Sequence, residues 1–214
     1  KSANDRGTII SSSNKDTASD NTVTINAANE KDKVEVTLKD LNIDAGSTGS
    51  AAVSVTGSGD TTIELDGSNT LKSSGWHAGL ERNEEKNSDG NVVSGKLTIQ
   101  DEDKNGSLDA TGGFGGAGIG GANIKNSGAL EITGGTINAS SYDGSGIGSG
   151  DSAKGDTDIK IKNSNVTAKG FIDVRYVSHG TGIGSGLSSS GKTTIDISGG
   201  TVKATGSGDG YKGS

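Results

Sequence analysis

Short runs of alternating apolar and polar residues recur along this chain, each followed by a glycine-rich interval. Leu130 and Ile132, Ile159 and Ile161, and Ile195 and Ile197 are such pairs, with Thr, Asp, Glu or Lys between and beside them. A period of two puts successive side chains on opposite faces of a strand, so each run predicts a half-buried β-strand. No stretch of useful length carries apolar residues at helical spacing, which excludes helical repeats.

The runs are copies of one unit. An alternating strand leads through a short polar turn to a second strand ending in Ala, then a variable loop, then a Gly-flanked aliphatic residue. The clearest copy spans 129–150; others span 157–170 with its closing segment at 181–186, and 193–210. A further copy at 96–121 has four extra residues in its turn. Ile132 is followed at offsets of five and seven by Ile137 and Ala139, Ile161 by Val166 and Ala168, Ile197 by Val202 and Ala204, and Leu38 by Ile43 and Ala45. Leu65 opens a looser copy in which Leu80 takes the place of Ile119, Ile147 and Ile183. The anchors Leu38, Leu65, Ile99, Ile132, Ile161 and Ile197 lie 27, 34, 33, 29 and 36 residues apart, a spacing typical of solenoids. The expected fold is all-β: a single-stranded right-handed parallel β-helix (solenoid) of about six to seven coils. Residues 1–33 are expected to form an N-terminal strand, first coil or cap, 34–210 the β-helix repeats, and 211–214 a frayed C-terminal end.

Composition supports this reading over disorder. Gly accounts for 38 of 214 residues, Pro for none, and apolar residues for 28%. A stacked coil excludes Pro, which cannot donate to a ladder, and needs Gly at tight corners such as Gly134–Gly135 and Gly199–Gly200, with Asn163–Ser164 in the equivalent place. The absence of Cys rules out disulfides, thiolate zinc sites and thiol nucleophiles. No run approaches the roughly 20 apolar residues of a membrane helix, so no membrane insertion is expected. A net charge of −7 and a mean hydropathy of −0.50 argue against a nucleic-acid partner, which would want a basic face. Lys1 in place of Met, and a last coil without an evident cap, lead to the expectation of a segment from a larger multidomain chain.

Two places carry candidate chemistry. All six aromatics fall in the loop before the Gly-flanked aliphatic position or in its equivalent: Trp76, Phe114, Tyr142, Phe171, Tyr176 and Tyr211. His77 and His179 share that region, with Arg82 and Arg175 at its margins. Stacked coils would bring these side chains to one edge. Aromatic faces there could stack on sugars while His77, Asp143, Asp173, Arg175 and His179 orient hydroxyls or a carboxylate; the alternative is aromatics that merely cover a coil edge. The second place is Asp101-Glu102-Asp103-Lys104-Asn105-Gly106-Ser107-Leu108-Asp109. Its alternating acids and turn Gly suit an oxygen-ligand Ca²⁺ loop formed by Asp101, Asp103, Asn105 and Asp109. Position 12 of the loop is Gly112 rather than Glu, so this is no EF-hand; the alternative is a solvated acidic hairpin. Glu81, Glu84, Glu85 and Asp89 read as a solvated acidic loop.

The repeated G-[AST]-G-I-G-[SG], together with I-x-[GN]-[GS]-x-[IV]-x-A, resembles the right-handed parallel β-helix segments of large secreted and wall-attached proteins of Firmicutes. It is more distantly similar to clostridial β-helix carbohydrate-binding domains. The resemblance covers roughly residues 34–210. It implies a secreted or cell-surface location on a Gram-positive bacterium, a polysaccharide or host glycan as partner, and structural Ca²⁺. The leading functional expectation is a non-catalytic carbohydrate-binding or adhesin module. The alternatives are a structural stalk and a polysaccharide lyase or glycosidase.

Overall fold

A computed structural model describes residues 7–170 and 179–207 of the chain. Its elements are strands that climb in coils. The first coil holds β1 (Thr8–Ser11) and β2 (Val23–Asn26). The second holds β3 (Lys33–Lys39), β4 (Asn42–Asp44) and β5 (Val53–Thr56). The third holds β6 (Asp60–Asp66), β7 (Ser68–Lys72) and β8 (Leu80–Arg82). Next come β9 (Leu97–Gln100), β10 (Ser107–Thr111) and β11 (Ile119–Gly120), then β12 (Ala129–Ile132), β13 (Thr136–Ser140) and β14 (Ile147–Gly148). The corner between the first two strands is absorbed into one long strand in β15 (Thr157–Lys169), which precedes β16 (Ile183–Gly184), and again in β17 (Thr193–Thr205).

Every named pairing is parallel, and each strand pairs with its counterpart in the neighbouring coil. One sheet runs β1-β3-β6-β9-β12-β15 and continues from β15 through β13-β10-β7-β4; the second runs β16-β14-β11-β8-β5-β2. This is a parallel β-helix. β1 and β2 pair with β3 and β5, so residues 8–26 extend the stack. The turn glycines behave as their positions require: Gly135, Gly199 and Gly200 have φ of 82°, 75° and 76°, and Asn163 takes 51°.

The core is a set of side-chain columns. Leu80, Ile119 and Ile147 stack in register and are buried, as are Ala110, Ala139 and Ala168. The early register differs from that expected from the spacing. Ile63 pairs with Ile99, and Val36 with Ile63. The true column is therefore Val36, Ile63, Ile99, Ile132, Ile161, Ile197, and Leu38 and Leu65 lie two residues beyond it. A slip of two keeps inward residues inward, so apolar spacing alone does not detect it. Leu38 and Leu65 fill an additional interior position because β3 and β6 run for seven residues where β9 and β12 run for four. Asn69 accounts for the looseness of its copy. It stands in the column of Leu108 and Ile137, and its buried amide accepts the Leu41 N–H (3.0 Å) and donates to Asp66 O and Ser107 O (3.2 Å each).

Candidate functional site

The loops that precede the Gly-flanked aliphatics stack tightly on one another. In G-x-G-I-G the first glycine of each coil lies under the last: a Cβ on Gly116 would sit 2.1 Å from His77 O, one on Gly144 2.6 Å from Gly116 O, and one on Gly180 2.1 Å from Gly144 O. His77 occupies this column in the third coil. Ahead of this column an aromatic ring stands outward in the third coil and another in the fourth. Trp76 and Phe114 are 55% and 54% exposed, and their rings meet edge to face with centroids 5.2 Å apart at 80°. Both loops are held by main-chain bonds: Gly113 N–H donates to His77 O (2.9 Å), and Asn123 N–H to Trp76 O (2.7 Å). Ile124, which follows Asn123, is also exposed.

The other candidates of this edge divide. His77 Nδ1 contacts Glu81 Oε2 at 2.8 Å, and the buried Glu81 carboxylate also accepts Ala78 N–H (3.1 Å) and Asn83 Nδ2–H (2.9 Å). Asp143 is buried; its Oδ1 accepts the backbone N–H of His179 (3.3 Å) and its carbonyl accepts Leu187 N–H (3.0 Å). It ties two coils together rather than facing solvent. Tyr142 shares the column of Phe114, is partly buried, and makes no ring contact among the described residues. Phe171, Asp173, Arg175, Tyr176 and Tyr211 lie outside the described residues. A perpendicular pair at Trp76 and Phe114 offers a corner for a ligand, where a flat strip would need rings lying side by side.

Three sequence expectations are corrected here. Arg82 is not at the margin of this edge. It points inward from β8, is 1% exposed, and donates to Gly95 O (3.1 and 2.6 Å), Gly57 O (2.8 Å) and Val55 O (3.3 Å). Burial lowers its pKa, with Glu85 and Asp60 opposing the shift. Glu81 is buried rather than solvated. The Glu84 side chain is 7% exposed and binds Lys86 Nζ (3.1 Å) and Asn126 Nδ2 (3.3 Å). Of the four acids, only Glu85 and Asp89 are open to solvent.

The acidic turn brings together a different set from the one its spacing suggests. Glu64, Asp101 and Asp103 each place a carboxylate oxygen within 4.8 Å of the others. Asn105 shapes the turn: its N–H donates to Asp101 Oδ1 (3.1 Å) and its Nδ2 to Asp103 Oδ2 (2.8 Å), while its Oδ1 accepts Gly67 N–H (3.4 Å). Asp109 points outward from β10 and accepts a bond from Asn138 Nδ2 (2.6 Å). Glu64 is the member missed. It pairs in register with Gln100, and the two-residue slip at Leu65 hides this from the sequence. The all-oxygen donor set, with one carboxylate buried, is of the kind hard cations accept.

Outside these places, the Glu131 carboxylate sits between Lys96 Nζ (2.5 Å) and Lys162 Nζ (2.9 Å), which hold its pKa down to about 2.

With the fold in view, one comparison bears on the architecture. A family model described as a beta helix repeat matches residues 104–123, 130–151, 159–187 and 195–211. The chain is thus similar to beta helix repeat proteins through its glycine-rich coils. No curated protein and no solved structure matches it. No helix among the described residues is long and apolar enough to cross a membrane.

Proposed function

We propose that this β-helix module is a non-catalytic carbohydrate-binding or adhesin segment, displayed on a bacterial surface as part of a larger chain, with a polysaccharide or host glycan as its partner. The observation that carries the reading is the Trp76–Phe114 pair. Two large aromatics more than half exposed, on loops pinned by main-chain bonds, present apolar faces at little ordering cost. A sugar stacks on one ring while the other, set at right angles, walls the site. The Asp143 carboxylate is committed to backbone, which favours binding over acid–base chemistry. In the same reading, Ca²⁺ is held by Glu64, Asp101 and Asp103 and clamps β6 to the turn after β9.

Trp76 is the only tryptophan, so its fluorescence reports ligand directly. Against a panel of plant, mucin and microbial polysaccharides, at least one ligand is expected to shift that emission and be retained on the protein. Phe114→Ala should cut its affinity at least about tenfold with an unchanged melting curve. A panel with no ligand, or retention indifferent to Trp76→Ala and Phe114→Ala together, would sink the proposal. For the metal, added Ca²⁺ should raise the melting temperature, and Glu64→Gln with Asp103→Asn should remove the rise. Reducing-sugar release from a bound polysaccharide would count against the non-catalytic reading.

A further inference from the structure

Beside the aromatic corner stands a histidine whose ring is held from behind. His77 follows Trp76 directly, and its carbonyl accepts bonds from Ser73 Oγ (2.8 Å) and Gly113 N–H (2.9 Å). Its Nδ1 lies 2.8 Å from Glu81 Oε2. The same oxygen accepts Ala78 N–H, and Oε1 accepts Asn83 Nδ2–H. Glu81 is thus a buried carboxylate with three donors, and His77 is its one ion-pair partner among the described residues.

The network closes on the corner itself. Asn83 Oδ1 accepts Ala122 N–H (2.9 Å), and the next amide, Asn123 N–H, donates to Trp76 O (2.7 Å). Glu81, Asn83, the main chain at 122–123, Trp76 and His77 therefore form one ring of bonds across the third and fourth coils. The imidazole and the main chain that carries Trp76 are fixed together.

The other ring nitrogen is free. Nε2 has no partner among the described residues, and the His77 side chain is 39% exposed. An ionised carboxylate only accepts hydrogen bonds, so the proton between the two groups sits on Nδ1. In the neutral imidazole Nε2 is then a bare acceptor, the tautomer being selected by the carboxylate behind it.

The geometry points to Glu81 as a positioning residue that presents His77 Nε2 as an acceptor to a ligand on the Trp76–Phe114 corner, so that the site selects a neutral sugar over a uronic acid. The inference rests on the carbohydrate-binding reading and names its substrate class. A sugar hydroxyl supplies the proton that Nε2 lacks. A carboxylate supplies none and would be repelled by the buried charge of Glu81.

Two measurements test this. The chain has two histidines, so long-range ¹H–¹⁵N spectra, with His77→Ala as reference, identify each ring. At about pH 8, where an imidazole is neutral, His77 should carry its proton on Nδ1. The Nε2–H form, or a mixture of the two, would overturn the inference. At the same pH, Trp76 emission and retention compare neutral with uronate-rich polysaccharides. A neutral one should bind more tightly, and His77→Ala should weaken it about tenfold. Glu81→Ala should give a mixed tautomer and a similar loss. Melting curves verify that each variant is folded; should Glu81→Ala not fold, the parent spectrum and His77→Ala decide. A preference for uronates, or affinity unchanged in His77→Ala while Trp76→Ala releases the ligand, would overturn the inference and leave the carbohydrate reading standing. Retention indifferent to Trp76→Ala and Phe114→Ala together would remove that reading and this inference with it.

Discussion

In the second and third coils, β3 and β6 bury three side chains each, and β5 in the second sheet is four residues long with Val53 and Val55 inside. In the fourth and fifth coils, β9 and β12 bury two each, and β11 and β14 shrink to a single Ile-Gly step. The column that holds Ile43 and Leu71 in the second and third coils holds Ala110, Ala139 and Ala168 in the next three. One topology is thus built in two ways. The early coils gain stability from large side chains on ordinary strand backbone. The later coils bring backbones so close that only Gly fits, and rely on ladders and close contact instead. The family match, which begins at residue 104, follows the second style.

Substitutions that target one style should therefore spare the other. The largest effect is expected for Gly148→Ala. Its φ is 132°, and a Cβ there would lie 2.0 Å from Gly184 O, so the loss should exceed about 4 kcal/mol. The same change at Gly49, at φ 65° in an open turn of the early region with no atom within 4 Å of its Cβ, should cost only about 1 kcal/mol. Urea unfolding measures both, and equal losses would break the distinction. Next comes Leu65→Ala, which empties a large interior position and should cost about 3 kcal/mol; a loss below that of Gly49→Ala would show that the early core is not carried by its side chains. The smallest effect is electrostatic and belongs to the later coils. The Glu131 carboxylate has its pKa lowered from 4.5 to about 2 by Lys96 and Lys162. A lowered folded-state pKa gives stability that is complete above the unfolded value and is lost as pH falls from 4.5 towards 2. Across that window the urea midpoint should fall less steeply in Lys96→Gln/Lys162→Gln than in the parent protein. Identical slopes would show that the pair does not act on Glu131.

Much of this was legible along the chain. Ile132, Ile161 and Ile197 share offsets, turn chemistry and closing G-x-G-I-G, and they do stack. The early register was not legible, because Leu38 and Leu65 keep the right parity two residues away from their expected column, and only the pairing of Ile63 with Ile99 decides between the two. The candidate sites suffered from the same limit. Trp76 and Phe114 could be placed in one loop region, but not set at right angles. Glu64 could not be joined to Asp101 and Asp103, nor could Asp143, Glu81 and Arg82 be told from solvent-facing groups.

Sequence by itself determined the strand periodicity, the repeat, the corners and the exclusion of Pro, since each depends on neighbours within a few residues. Tertiary structure alone decided which residue of one coil lies over which of the next. That choice rests on contacts between chain segments some thirty residues apart, and it selects the residues that form the acidic cluster and the aromatic corner.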